Sequence, residues 1–261
     1  MQLEGKRIVL TGAAGGMGEL IAAALAARGA KLILTDLNAE RLEQLAARLG
    51  SEHSVVATDL CHGDGREKLL QACAASDGID VLINAAGMSE YVMLEQQSAA
   101  RVELMTTINL IVPMLMCQGL LPMLKSRKEA AILNMGSTFG SIGHPGFSTY
   151  CASKFGLRGF TESLRRELSD TRVQVFYLAP RATQTDMNST AVVELNKELG
   201  NTMDKPELVV EHLLRLLTDK TGGAYFLGWP EKLFVRINGV LPGLVDKGLA
   251  RQLPTIKRLA G

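Results

Sequence analysis

Seven short apolar runs, separated by helix-length segments, constrain this chain more than any other feature. They fall at 6–11, 31–36, 53–57, 79–84, 130–135, 172–178 and 223–227. Most are unbroken Val/Ile/Leu stretches rather than alternating ones. A strand that is apolar on both sides must be covered on both sides, so the pattern predicts a parallel sheet sandwiched between helices. The intervening segments at 17–28, 39–49, 64–75, 98–124, 149–169 and 205–219 supply those helices. Strand–helix alternation predicts a doubly wound α/β fold, and no linker or repeat divides residues 1–261, so one domain is expected. A 261-residue chain with 47% hydrophobic residues can bury one large core.

In open sheets of this kind, function gathers in the loops beyond the strand carboxyl ends. The first such loop is Gly12-Ala13-Ala14-Gly15-Gly16-Met17-Gly18, between the run ending at Thr11 and an Ala/Leu-rich helix. Glycine lets backbone approach a pyrophosphate, and a helix N-terminus offers free N–H groups to it. Strand, glycine turn and helix together predict a dinucleotide site, although the Thr-Gly-x-x-x-Gly-x-Gly spacing of Gly12, Gly16 and Gly18 differs from the common fingerprint. The second strand ends in Asp36. A carboxylate there suits adenosine ribose hydroxyls and repels a 2′-phosphate. Ala14, Gly15 and Leu37 offer no positive charge, so NAD(H) is expected rather than NADP(H). Asn38 is better placed than Asp36 to cap the following helix.

The second signature is Tyr150-x-x-x-Lys154, with Ser137 thirteen residues upstream. Residues four apart share a helix face. A phenol titrates near 10, and the lysine charge is expected to pull that value down. A serine hydroxyl could hold a carbonyl or alcohol oxygen beside the phenol. The trio predicts general acid/base chemistry on carbonyls and alcohols, with the dinucleotide as redox partner. The loops at 84–97, 136–148 and 179–204 should converge on the edge that carries the glycine turn.

These motifs, with Asp59-Leu60, Asn84-Ala85-Ala86-Gly87, Asn109, and Pro180 with Thr185, make residues 5–187 resemble the short-chain dehydrogenase/reductase family in its single-domain form. The resemblance implies a Rossmann-like sheet of about seven strands. Tyr150 would be the acid/base and Ser137 would orient the substrate. Lys154 would tune Tyr150 and grip the nicotinamide ribose, and Asn109 would hold a water beside Lys154. Gly12, Gly16, Met17, Gly18, Asp36, Asp59, Leu60, Asn84, Ala86, Gly87, Pro180, Thr183 and Thr185 would contact the cofactor along with Tyr150 and Lys154. A homo-oligomer, dimer or tetramer, joined through helices 98–124 and 149–169 is also implied.

Two departures stand out. Arg181 follows Pro180 where the family usually has glycine; it is expected either to meet an anionic group of cofactor or substrate or to pair with Asp186. Residues 228–261 form an atypical amphipathic tail, in which Leu233, Phe234, Ile237, Val240, Leu241, Leu244 and Val245 recur at helical spacing. It could pack on the domain or a neighbour, cover a hydrophobic cavity, or rest on anionic lipid. The substrate loop at 181–205 is expected to be mobile or to order on substrate binding over 188–204. The loops around the site are rich in Met and aromatics, with Met88, Phe139, His144, Arg181 and Met187 as candidate substrate contacts. They point to a hydrophobic ketone or secondary alcohol.

Composition removes other classes. Net charge is +1 with no basic stripe, so no nucleic-acid partner is expected. The four cysteines lack metal or redox spacing and read as reduced thiols of a cytoplasmic protein, with no metal and no signal peptide expected. The apolar stretch Ile108 to Leu124 is interrupted by Asn109, Pro113, Gln118 and Pro122 and reads as a buried helix rather than a span. Two rival readings are a catalytically silent nucleotide-binding scaffold, which should have lost the tyrosine or lysine, and a sugar-nucleotide epimerase, which should be longer.

Overall fold

A computed structural model describes residues 1–185 and 187–260. Seven strands form one parallel sheet: β1 (Arg7–Thr11), β2 (Lys31–Asp36), β3 (Ser54–Ala57), β4 (Val81–Asn84), β5 (Ala130–Met135), β6 (Val173–Ala179) and β7 (Gly223–Phe226), in the order 3-2-1-4-5-6-7. All seven lie where the apolar runs predict them, within two residues at each end. The helices are α1 (Gly16–Ala26), α2 (Ala39–Leu49), α3 (Gly63–Ala75), α4 (Ala99–Thr106), α5 (Val112–Lys125), α6 (Ser148–Glu167), α7 (Thr190–Glu198), α8 (Pro206–Asp219), α9 (Glu231–Val240) and α10 (Pro242–Leu259).

Alternation along each strand feeds two cores. Ile8 and Leu10, Leu32 and Leu34, and Val81 and Ile83 point to one face, where α1, α2 and α8 cover them. Val9, Ile33 and Leu82 point to the other, covered by α3, α5 and α6. This is why the runs are continuous: both sides of every central strand are buried.

Two local features differ from the sequence reading, the π-turn and α7, and the tail breaks at Pro242. The long helix expected over 98–124 is widened by a π-turn at Thr107–Ile111. Pro113 has no N–H to give the carbonyl of Asn109, and its ring crowds that carbonyl, so the preceding turn opens. The combined helix Ala99–Lys125 is long and apolar enough to cross a membrane by length and composition. Its Met116, Cys117, Leu120 and Leu124 are nevertheless buried against the sheet, as the sequence predicts. The stretch 188–204, expected to be mobile or to order on substrate binding and given no helix by the sequence, contains α7: Ser189 caps it by accepting from the Val192 N–H at 3.4 Å, and Val192 and Leu195 are buried. The tail forms two helices, broken at Leu241 where Pro242 opens α10.

The sheet's carboxyl edge is tied together at its centre. Strand order reverses between β1 and β4, whose last residues Thr11 and Asn84 lie side by side. The Thr11 hydroxyl accepts from both the Ala85 and Ala86 N–H groups, each at 3.1 Å. Gly12, at φ +70°, lies so close that a Cβ would sit 2.7 Å from the Ala86 Cα. Only glycine tolerates both the conformation and the approach.

Candidate active site

The glycine turn fits a dinucleotide. A Cβ at Gly18 would fall 2.0 Å from the Gly12 carbonyl oxygen, whereas one at Gly16 would meet nothing. The turn is therefore packed behind and open in front. No side chain caps α1, whose first N–H groups are left for an anion. Asp36 braces the same turn: its carboxylate accepts from the Ala14 N–H at 3.1 Å and the Asn38 N–H at 3.3 Å. Asn38, not Asp36, caps α2 by accepting from the Arg41 N–H at 3.0 Å, as expected. Asp59 accepts from the Cys61 N–H at 2.8 Å, and Leu60 beside it is buried.

Asn84 departs from expectation. It is buried, and its amide donates to Asn134 Oδ1 at 2.8 Å and Cys117 Sγ at 3.5 Å, while Asn134 donates on to Thr161 Oγ1 at 2.9 Å. Its side chain thus ties β4 to β5 and α6 instead of lining a cofactor groove. Only the backbone that follows it, through Ala86 and Gly87, faces the site edge.

The structure brings Ser137, Tyr150 and Lys154 to one cavity: Tyr150 and Lys154 lie one turn apart on α6, and the Ser137 side chain is near enough to the Tyr150 hydroxyl to favour its ionised form. The Lys154 ammonium is 5.7 Å from the Tyr150 ring centroid and donates to the Met135 carbonyl at 2.9 Å. Asn109 is fully buried in the π-turn; it donates to the Met88 carbonyl and accepts from the Met88 N–H, both at 2.9 Å, and also donates to Ser153 Oγ at 3.1 Å. It clips the loop after β4 to α6 beside Lys154.

The electrostatics correct one expectation. Burial pushes the Tyr150 phenol up to about 12, against the pull of the Ser137 side chain. Burial likewise pulls Lys154 down to about 8. Desolvation is the leading cause for both groups, and the ammonium is held by the Met135 carbonyl and the face of the Tyr150 ring.

A cavity of about 610 Å³ opens over Tyr150. Met17, Gly87, Ser137, Lys154, Pro180, Thr183 and Thr185 reach it, as do all five candidate substrate residues, Met88, Phe139, His144, Arg181 and Met187. His144 is half-buried and stacked on Phe139 at 5.0 Å, its Nδ1 2.7 Å from the Pro145 carbonyl, and desolvation lowers its pKa. It forms part of an aromatic wall with Phe147 and Tyr150. Sequence reasoning missed the opposite wall, where Val192 and Leu195 of α7 and Phe234, Ile237 and Leu249 of α9 and α10 close the cavity. Helical spacing over 233–245 signalled it. The tail therefore covers a cavity, one of the roles the sequence left open.

Arg181 is not free to hold an anionic ligand. Its guanidinium donates to Asp204 Oδ1 at 2.6 Å and to both Glu231 oxygens at 3.1 and 3.2 Å. Two carboxylates from separate segments neutralise it, which binds the loop after β6 to the start of α9. Asp186, the other expected partner, lies outside the described residues.

The profile of the short chain dehydrogenase family matches residues 6–196. The chain belongs to the short-chain dehydrogenase family. "D-threitol dehydrogenase" of Mycolicibacterium smegmatis is 35% identical over 194 residues, covering 73% of this chain and 75% of that protein. "Nodulation protein G" of Rhizobium sp. (strain N33) is 34% identical over 180 residues, covering 69% and 74%. The crystal structure of 3-ketoacyl-(acyl-carrier-protein) reductase from Brucella melitensis, complexed with NADH, superposes with TM-score 0.81 at 26% identity, covering 88% of this chain and 99% of that one. This short-chain dehydrogenase is accordingly a nicotinamide-dependent oxidoreductase acting on CH–OH or C=O groups. When bound, the nicotinamide supplies the hydride chemistry.

The depressed Lys154 pKa makes a stability prediction. Below pH 8 the unfolded chain keeps its lysine proton easily, while the folded protein bears a buried cation. Between about pH 8 and 10.5 the unfolded state binds more protons, so stability rises with pH. From pH 7 to 9.5 the gain from Lys154 is about 2 kcal/mol. Urea unfolding at both pH values should show this gain in the parent relative to Lys154→Met; equal pH dependence in the two proteins would contradict it.

Proposed function

We propose that this enzyme reduces a hydrophobic ketone with NADH, Tyr150 giving the proton to the carbonyl oxygen, and that the reverse oxidation uses Tyr150 as base. The observation that carries this reading is that Tyr150, Ser137 and Lys154 all line one largely apolar cavity. The phenol carries its proton at neutral pH; its rise to about 12 makes it a weaker acid than a free phenol, so donation relies on the alkoxide formed from the carbonyl being the stronger base. Ser137 Oγ, already accepting from the Phe139 N–H at 3.1 Å, is fixed where it can hold the substrate oxygen. Lys154 would steady any phenolate formed in the oxidative direction, and Asn109 would keep the Lys154 neighbourhood polar and fixed.

Gly12, Gly16, Met17 and Gly18 would cradle the pyrophosphate. Asp59, Leu60, Ala86 and Gly87 would flank the adenosine half, and Pro180, Thr183 and Thr185 the nicotinamide half. NAD(H) is favoured by Asp36 and by the fate of the nearby cations. Arg41 and Arg48 both pair with Glu19, at 3.0 and 2.7 Å, so neither awaits a 2′-phosphate. The apolar lining, in which Met88, Phe139 and Met187 take part, favours an acyl, ring or aromatic ketone. Residues 181–205 would serve as substrate loop within a single 1–261 domain. Exposed Leu104, Ile111 and Met114 on the α4–α5 helix and Phe155 on α6 favour a homo-oligomer joined there.

Tyr150→Phe should lower kcat by about 10²- to 10⁴-fold. NADH binding, read by its fluorescence, should survive; turnover within a few-fold of the parent would refute the assigned role. Asp36→Ala should cut the preference for NAD(H) over NADP(H) by about tenfold or more, the scale of one lost charged hydrogen bond. An unchanged ratio of kcat/KM values would remove Asp36 as the selector. Sedimentation equilibrium should give the mass of a dimer or tetramer, and Met114→Glu with Phe155→Glu should reduce it; a monomeric parent would rule out the assembly.

A further inference from the structure

The turn joining α9 to α10 is unlike the rest of the surface. Gly239, Val240, Leu241, Pro242, Gly243 and Leu244 are six consecutive exposed residues without one polar side chain. Val240 is 78% exposed and Leu241 56%. Among apolar side chains in the described residues, an exposed run of this kind on a helical hairpin tip demands a partner.

The charge around it says which. Residues 229–260 carry six basic and two acidic side chains, a net +4, where the whole chain has +1. One of the two acids, Glu231, is already spent on Arg181. The placement is ordered as well. Lys232, Arg236 and Val240 follow one another four residues apart, so they share one face of α9. Leu244, Lys247 and Arg251 are spaced three and four apart on one face of α10, and the four cations are all exposed. Each helix thus presents two cations leading to an apolar tip. At 1.5 Å per residue, Arg236 stands about 6 Å behind Val240 and Lys247 about 4.5 Å behind Leu244. An interfacial helix buries its apolar side about 5–10 Å into the headgroup and acyl boundary, with Lys and Arg at the anionic headgroups. Trp229, the single tryptophan and 69% exposed, lies on the same segment.

We propose that the α9–α10 hairpin docks the enzyme on an anionic lipid bilayer, the 239–244 tip dipping into the acyl boundary and Lys232, Arg236, Lys247 and Arg251 meeting lipid phosphates. The arrangement also gives the catalytic cavity a route to the membrane. Phe234 and Leu244 are exposed at the hairpin and at the same time line the cavity over Tyr150. A lipid-dissolved ketone could then enter without crossing water. That delivery step rests on the proposed hydrophobic-ketone reduction, whereas docking does not, and docking is measured without turnover.

The test is flotation of the full-length protein with vesicles of equimolar phosphatidylglycerol and phosphatidylcholine, against phosphatidylcholine alone. The parent should float with the anionic vesicles and release at high salt. Trp229 emission should shift to shorter wavelength on binding. Val240→Asp with Leu241→Asp, both exposed and outside the cavity lining, should bind at least tenfold more weakly while melting like the parent. Lys247→Glu with Arg251→Glu should do the same. Failure of the parent to float overturns the proposal, as does undiminished flotation of Val240→Asp/Leu241→Asp. Should that variant instead lower the sedimentation mass while the parent ignores vesicles, the tip is a contact between two copies and the lipid assignment is wrong.

Discussion

Everything functional in this molecule depends on seven strands running in the same direction. Parallel alignment puts Thr11, Asp36, Asn84, Met135 and Ala179 at one edge, so the loops that follow them face one another. The crossing point between β1 and β4 is then closed by a single hydroxyl, Thr11, which satisfies two backbone N–H groups of the neighbouring loop. With those groups paired, the Gly12 turn and the Ala85–Gly87 turn can touch backbone to backbone. That contact sets the floor of the cofactor groove and the distance from it to α6.

The acid/base site stands on buried polar groups more than on exposed charge. Asn109 and Lys154 lie almost wholly inside the protein, and each is held by backbone carbonyls or amides from a different element. Tyr177 of β6 extends the framework. Its hydroxyl lies 3.3 Å from both the Ser137 N–H and the Ser137 carbonyl, and its ring fills the space that Gly136 leaves open. Such fixed groups cost desolvation and return geometric definition. The raised Tyr150 and lowered Lys154 express that cost.

Much of this was legible in the residues. Continuous apolar runs gave away every strand, and the Tyr150–Lys154 and Gly12–Gly18 spacings are local patterns that survive without tertiary context. What escaped was set by contacts distant in sequence. The ion pairs of Arg181 depend on Asp204 and Glu231, 23 and 50 residues further on, so a local reading offered only a ligand or the nearby Asp186 as its partner. Asn84 looked like a cofactor contact because of its motif, but its direction is decided by Asn134 on the adjacent strand. The sign of the Tyr150 shift needed burial, which spacing cannot report. Helix α7 was hidden by mixed polarity, although Val192 and Leu195 carry the spacing of a half-buried helix.

The C-terminal helices turn a groove at the sheet edge into a covered cavity, and the Arg181 ion pairs hold that cover to the loop after β6. Met17 of the glycine turn, Tyr150 and the apolar C-terminal helices therefore line one cavity. A crystal structure of the NADH complex tests this most directly. The account expects pyrophosphate against the Gly12–Gly18 turn, ribose hydroxyls at Asp36, and the nicotinamide ring facing the cavity with its ribose at Tyr150 and Lys154, leaving room for a carbonyl carbon about 3–3.5 Å from the hydride-bearing carbon. NADH bound elsewhere, or with the nicotinamide turned away from Tyr150, would contradict it.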